Sequence, residues 1–281
     1  SEMCIRDRKQ TCHLKNITYN HSAMRDEILI YNDSGTGDIR PLRDSLREYF
    51  SPQGIKIDTV TADDIIKNDR LNGRVLAFFM PGGRATPYLE KLKVRGNQKI
   101  AEYVQSGGVY FGICAGAYYA SRNVFFETDI KDAAVVQQCG LNLIDADAVG
   151  TLHRELGIAP YSQDFRSMAA AKVLWRADNE RHIASYHGGP YFKPLPHSRI
   201  QVLAEYEFEG KTLPAVVMQK HGAGTAIVSG LHIEDTGQNL KRILNSLLIK
   251  EPDAYGIASA LEEGEAARRA LFCKMMAKIR Q

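Results

Sequence analysis

The chain has 281 residues, 44% of them hydrophobic and 25% charged, with a formal net charge of +3. That composition supports a buried core and excludes a disordered, collagen-like or coiled-coil architecture. The small charge excess argues against nucleic acid as a partner. No apolar run approaches the ~18 residues of a membrane span, and five cysteines in a chain of this length do not read as a disulfide framework. No basic start precedes an apolar h-region, so a cytoplasmic protein without a membrane partner is expected.

Ser1–Arg8 (SEMCIRDR) has no apolar period and resembles a translated sequencing-adapter read. Residues 1–26 are expected to be a disordered or non-native leader, with Met24 as the natural start and Cys4 and Cys12 without function. From Glu27 the chain alternates strands and helices. Glu27–Tyr31 is an apolar run closed by turn residues from Asn32 to Gly37. Leu42, Leu46, Tyr49 and Phe50 recur at helical spacing. Ile55–Val60 alternates like a strand, and Thr61 with Asp64 reads as a helix start. Val75–Met80 (VLAFFM) has the composition of a strand buried on both faces. Lys99–Gln105 is predicted as helix and Val109–Ile113 as the next strand. This order implies a doubly wound parallel sheet with right-handed crossovers and a site at the carboxyl ends of its strands.

The second half is richer in strands: Lys172–Arg176, His182–Tyr186, Ile200–Glu207, Pro214–Lys220 and Thr225–Ser229, the last two joined by a hairpin at Gly222-Ala223-Gly224. Gln238–Ile249 is predicted as helix. Ala258–Ile279 is predicted as one amphipathic helix, packing through Ala266, Ala270, Cys273 and Ala277. No repeat or linker divides residues 27–281, which are expected to form a single domain with a C-terminal helix.

Chemistry concentrates at three strand ends. Gly112-Ile113-Cys114-Ala115-Gly116 has the pattern of a nucleophile elbow with sulfur in place of oxygen. Its small flanking residues permit a tight turn, and the helix that follows offers a partial positive charge to a thiolate. Leu231-His232-Ile233-Glu234 supplies a base and an orienting carboxylate, provided the chain kinks to bring both into one site. Pro81-Gly82-Gly83 can expose a backbone N–H at Gly83, which with that of Ala115 would hold an oxyanion.

Taken together these segments resemble the class I glutamine amidotransferase superfamily. Within it, residues 28–35, Gly112 through Tyr118 and Tyr186-His187-Gly188-Gly189-Pro190-Tyr191-Phe192 resemble the family named for the N-terminal domain of eukaryotic biotin–protein ligases. The resemblance runs from about Glu27 to about Ile249. It implies a flavodoxin-like three-layer α/β sandwich, with a mostly parallel central sheet and additional antiparallel strands in the second half. It also implies a Cys114, His232, Glu234 triad.

Five departures narrow that reading. Tyr118 stands where glutamine-using members carry Gln, and Ile233 replaces the Pro usual between His and Glu. Ala115 separates the chain from the intracellular-protease branch, which carries His there. Cys114 separates it from the branches that use Ser. No G-R-G-R-x-G segment for biotinyl-adenylate is present, so the chain is not itself expected to be a biotin ligase. Tyr118, His187 and Asp33 are candidate substrate contacts. His153, His197 and His221 have no partners at metal-ligand spacing, so neither metal nor cofactor is expected. The resulting expectation is an enzyme that forms a thioester on a small-molecule amide or ester, with a ligase or synthetase as a candidate partner. The alternative is a catalytically silent module that binds a small molecule or docks a partner.

Overall fold

The computed structural model describes residues 25–281. The readings of Cys4, Cys12 and Met24 therefore lie outside the described residues. In chain order the elements are β1 (Glu27–Tyr31), α1 (Arg40–Phe50), β2 (Lys56–Val60), α2 (Ala62–Lys67), β3 (Val75–Met80), α3 (Ala85–Gln105), β4 (Val109–Ile113) and α4 (Ala115–Ala120). They continue with β5 (Ser121–Phe126), β6 (Val135–Gln137), β7 (Ile144–Gly150), α5 (His153–Leu156), β8 (Met168–Trp175), β9 (Glu180–His187) and β10 (Tyr191–Pro194). The chain ends with β11 (Gln201–Phe208), β12 (Lys211–His221), β13 (Gly224–Ser229), α6 (Gly237–Ser246), α7 (Pro252–Glu263) and α8 (Glu265–Ala277).

A nine-stranded sheet runs β2-β1-β3-β4-β13-β12-β11-β8-β9. Its first five strands are mutually parallel, and every pairing from β13–β12 to β8–β9 is antiparallel. Successive side chains of a strand point to opposite faces. Ile28 and Ile30 accordingly join one core with Leu42 and Leu46 of α1 and Met275 and Met276 of α8. Leu29 and Tyr31 join the other core, with α2, α3 and α4. Helices on both faces of a largely parallel sheet make the flavodoxin-like three-layer arrangement that the sequence implies.

A second sheet, β10-β7-β5-β6, packs into the core on the α3–α4 side through Ile144, Ala146, Ala148 and Phe192. The sequence reading has no counterpart for it. The capping box at Thr61 and Asp64 is present: the Asp64 amide donates to Thr61 Oγ1, and the Thr61 amide donates to the Asp64 carboxylate.

Two helix expectations are corrected. Helix α3 begins at Ala85 rather than near Lys99, with a kink at Lys93 (φ 52°, ψ −166°). The predicted helix Ala258–Ile279 is two helices broken at Gly264, whose amide closes α7 by donating to Ala260 O. The packing face of α8 is Leu271, Phe272, Met275 and Met276, while Ala266 and Ala277 are exposed. Burial follows apolar area, and these longer side chains carry more of it than the alanine stripe. Cys273 is half-buried beside that face.

Candidate active site

The loops after β1, β3, β4 and β13 converge at the carboxyl ends of the parallel strands, where ligands bind in open α/β sheets. Cys114 follows β4 directly, at φ 48° and ψ −104°. A non-glycine residue is rarely held at positive φ, and such strain persists only where the surroundings enforce it. The enforcement is visible. The Cys114 amide donates to Ser229 O on β13 at 2.9 Å, and its carbonyl accepts from the amides of Ala117 and Tyr118 at 2.9 and 3.0 Å. Both flanking glycines are sterically required. A Cβ on Gly112 would lie 2.5 Å from Gly116 O, and one on Gly116 would lie 2.1 Å from Met80 O.

His232 is tied to β9 by its amide, which donates to Ser185 O at 2.9 Å. A turn follows, with the Asp235 amide donating to His232 O at 3.4 Å. That turn is the kink the H-x-E spacing requires. It lets His232 Nδ1 donate to Glu234 Oε1 at 2.9 Å, with 14% and 8% of the two side chains exposed. A carboxylate only accepts, so Nδ1 carries a proton and Nε2 is the nitrogen that gains or gives up the second one. Burial opposes charge on this imidazole, but Glu234 and the Cys114 sulfur outweigh it and raise its basicity well above the ordinary histidine range. Asp235, the next residue, is pushed up to about 6 by burial and by the Glu234 charge.

Cys114 and His232 line one cleft of about 390 Å³ with Gly82 and Gly83. His232 lies so close to Gly82 that a Cβ there would sit 2.6 Å from its Cε1. The loops after β1 and β3 are stitched together by Gly37 N to Gly82 O (3.0 Å) and Arg84 N to Gly35 O (2.8 Å). Gly83 between them is exposed, with φ at +142°. Among the described residues, neither the Gly83 nor the Ala115 amide donates a hydrogen bond within the chain. The structure thus brings Cys114, His232, Glu234, Gly83 and Ala115 to one place.

The other candidates sit differently. The His187 ring donates from Nε2 to Ser162 O at 2.8 Å and packs on Tyr161 with centroids 5.3 Å apart. Burial lowers its basicity. It lines the cleft, and its carbonyl lies 3.5 Å from Cys114 Sγ. Tyr118 lines a second cavity of about 670 Å³ that shares Cys114, Gly83, Arg84 and Tyr161 with the first. Its hydroxyl is engaged by Gly188 O at 3.1 Å, so it presents ring rather than hydroxyl. Asp33 lines neither cavity. Its carboxylate accepts from the Ala62 amide at the start of α2 (3.1 Å) and from the Ser34 amide (2.6 Å), because uncompensated amides at a helix start compete for an acid.

The fold also supplies partners to His153 that neighbours in the chain do not. Ligating atoms of Glu127, Asp129 and His153 lie within 4.8 Å of one another. Arg154 already binds Asp129 Oδ2 at 2.6 Å. The sequence reading also missed Arg84, Tyr161, Gln163 and Asp235, all on the cleft wall. Only Asp235 had a signal, its adjacency to Glu234. Among the described residues, no helix is long and apolar enough to cross a membrane.

A parallel sheet with a cysteine at a strained strand-to-helix turn, and a histidine–glutamate pair at the end of the neighbouring strand, defines the class I glutamine amidotransferase-like fold. A crystal structure of a glutamine amidotransferase from Thermotoga maritima superposes with a TM-score of 0.55, at 17% identity over 91% of this chain and 98% of that one. The family described as "Biotin-protein ligase, N terminal" matches residues 26–280, and the chain belongs to that family. The biotin–protein ligase of Schizosaccharomyces pombe is 29% identical over 74% of this chain, which corresponds to 33% of that protein. This chain therefore spans about a third of that relative. An uncharacterized protein of Chlamydia muridarum is 26% identical over 74% of this chain and 80% of its own length.

Proposed function

We propose that the protein is a cysteine-nucleophile enzyme that opens a small amide or ester through a thioester on Cys114. The observation that supports it is the convergence, in one cleft, of a strained cysteine, a histidine made strongly basic by Glu234 and that cysteine, and two undonated backbone amides. His232 Nε2 takes the thiol proton, or already holds it in a thiolate–imidazolium pair, and the sulfur attacks the carbonyl carbon. The oxyanion accepts from the Gly83 and Ala115 amides. Collapse breaks the C–N or C–O bond, and His232 returns the proton to the leaving amine or alcohol. Water then gives a proton to the same imidazole and attacks the thioester. The C–S bond breaks, the carboxylic acid leaves, and the thiol regains its proton. An amine or ammonia in place of water makes the second half a transfer. A ligase or synthetase that consumes the acyl or amine product is the partner class suggested by the relative from Schizosaccharomyces pombe.

A second reading, a binding module without turnover, is favoured by one observation: the Cys114 thiol faces the His187 carbonyl at 3.5 Å. Incubation with p-nitrophenyl acetate separates the two. The enzyme reading expects a burst of nitrophenol and an acetyl adduct on Cys114 by mass spectrometry. Both should be lost in Cys114→Ala, with turnover down by about 10³-fold or more. Rapid alkylation of Cys114 without any acyl adduct would favour the binding module.

A further inference from the structure

We propose that Arg84 is the anion-recognising residue of this cleft, and that the substrate is an amide or ester carrying a carboxylate close to its scissile carbonyl. The inference rests on the reading of Cys114 as nucleophile.

Arg84 stands beside Gly83 and, like Cys114, lines both cavities. It is the one arginine or lysine on either wall among the described residues. Its backbone is held by the bond from its amide to Gly35 O, and its side chain is exposed. Its positive charge reaches the cleft interior: burial and the Cys114 sulfur raise the Tyr161 phenol, while His232 and Arg84 oppose them.

The carboxylates of the two walls do not engage Arg84. Asp38 is paired with Arg40 at 2.7 Å, Glu234 with His232 at 2.9 Å, and Asp235 is buried against Glu234. Glu90, on the second wall, makes no ion pair with it. Arg70, Arg154 and Arg166, by contrast, each sit within 2.7 Å of a carboxylate. A guanidinium left without an acid at a cleft mouth presents a planar fork of N–H donors that matches a carboxylate. The second cavity adds the rings of Tyr118, Phe126 and Tyr161 with Val124 and Pro87, which suits an apolar or aromatic arm. The substrate class is then an acyl compound with its carbonyl at Cys114, an apolar arm toward Phe126 and an anionic group at Arg84.

Iodoacetate and iodoacetamide test this directly. Both alkylate a thiolate with loss of iodide, and they differ only in carboxylate against amide. Rates at Cys114 are followed by mass spectrometry in the full chain at low salt. Arg84→Gln should lower the iodoacetate-to-iodoacetamide rate ratio about tenfold, the size of one charge-assisted contact. Arg84→Lys should retain most of the ratio, and the ratio rather than either rate is read, because losing a positive charge near the thiolate slows both reagents alike. A ratio unchanged by Arg84→Gln overturns the proposal. If iodoacetamide does not modify Cys114 in the native protein, the nucleophile reading fails by itself. The Arg84 proposal is then read by calorimetric titration with glutarate against glutaramide. A preference for glutarate that Arg84→Gln removes upholds Arg84 as the anion-recognising residue, and no preference overturns it.

Discussion

The clusters at His232 and at His153 each hold a histidine, a glutamate and an aspartate together, and they are built differently. At His232 the ring donates from Nδ1 to Glu234 at 2.9 Å, and Asp235 lies against that glutamate without a close cation on its carboxylate. At His153, Nδ1 lies 3.8 Å from Glu127 and meets the Thr151 hydroxyl at 3.2 Å instead, while Arg154 clamps Asp129 at 2.6 Å. Each glutamate buries an Oε2 that takes no hydrogen bond from the described residues. Their Oε1 atoms have opposite employment. That of Glu234 accepts from the His232 ring, which lines the cleft together with Cys114. That of Glu127 accepts from the Thr151 hydroxyl and from the Tyr161 amide at 3.1 Å, pinning the segment that carries a cleft-wall tyrosine. Residue types alone do not tell these two clusters apart. What separates them is whether the ring shares a cleft with a cysteine and whether the acid has already found a fixed cation.

The largest contrast comes from matched substitutions of the two histidines. His232→Gln should lower acyl-transfer turnover by about 10³-fold or more, since one imidazole serves both proton transfers. It should also slow alkylation of Cys114 by iodoacetamide near neutral pH. His153→Gln should leave both within about threefold and act mainly on stability, because it removes a buried hydrogen-bonding group that lines neither cavity at Cys114. If His153→Gln cost as much turnover as His232→Gln at equal folded fraction, the contrast between the clusters would collapse. If His232→Gln left Cys114 alkylation unchanged, the base assignment would fail.

The glutamates should give a crossed result of intermediate size. Glu234→Ala removes only the orientation and charging of the imidazole, so its turnover loss should be about 10- to 100-fold milder than that of His232→Gln. Its unfolding midpoint should move little, since Glu234 accepts from one ring alone. Glu127→Ala leaves the Thr151 hydroxyl and Tyr161 amide without an acceptor and should cost about 2–4 kcal/mol in urea unfolding. Turnover should change only as far as Tyr161 shifts. Parallel measurement of turnover and unfolding in both variants shows whether the effects cross. Losses of the same kind in both would mean that the two glutamates share one role.

This division also explains what the sequence made legible. The strands that carry the site are strongly apolar runs ended by glycine or turn residues, and β1, β3 and β4 lie where their periodicity places them. Cys114 and His232 were readable because an elbow and an H-x-E pattern concentrate their signal in a few adjacent positions. The small sheet was not. In β7, Ile144, Ala146, Ala148 and Gly150 are buried alternately with Asp145 and Asp147, but alanine and glycine carry too little apolar area to mark the period. Arg84, Tyr161 and Glu127 reach their places through loops whose course depends on that sheet, so no local spacing announces them. The break at Gly264 was missed because the acids around it, Glu262, Glu263 and Glu265, fit a single helix start as well as the junction of two helices.

The smallest expected effect concerns Asp235, and it is the finest probe of the reactive cluster. Burial and the Glu234 charge raise its carboxyl to about 6, against 3.8 for the free group, while His232, Ser185 and Arg268 act in the opposite sense. Between about pH 4 and 6 the native state holds this proton and the unfolded chain has released it, so this group adds stability as pH falls through that window. Above about pH 6 the ionised acid sits beside Glu234 and that contribution is gone. Asparagine mimics the protonated form without titrating. Asp235→Asn should therefore match or exceed the native protein in stability at pH 8. On going to pH 4.5 it should lose ground to the native protein, by on the order of 1–3 kcal/mol. Many surface carboxylates titrate in the same range, and the difference between the two proteins at each pH cancels them. Turnover at pH 8 should change by less than about threefold, because the His232–Glu234 bond is intact in the variant. Urea unfolding of both proteins at pH 4.5, 6 and 8 reads this difference. A constant difference across the three would show that Asp235 is ionised throughout, and that the cluster carries a second fixed negative charge rather than a proton.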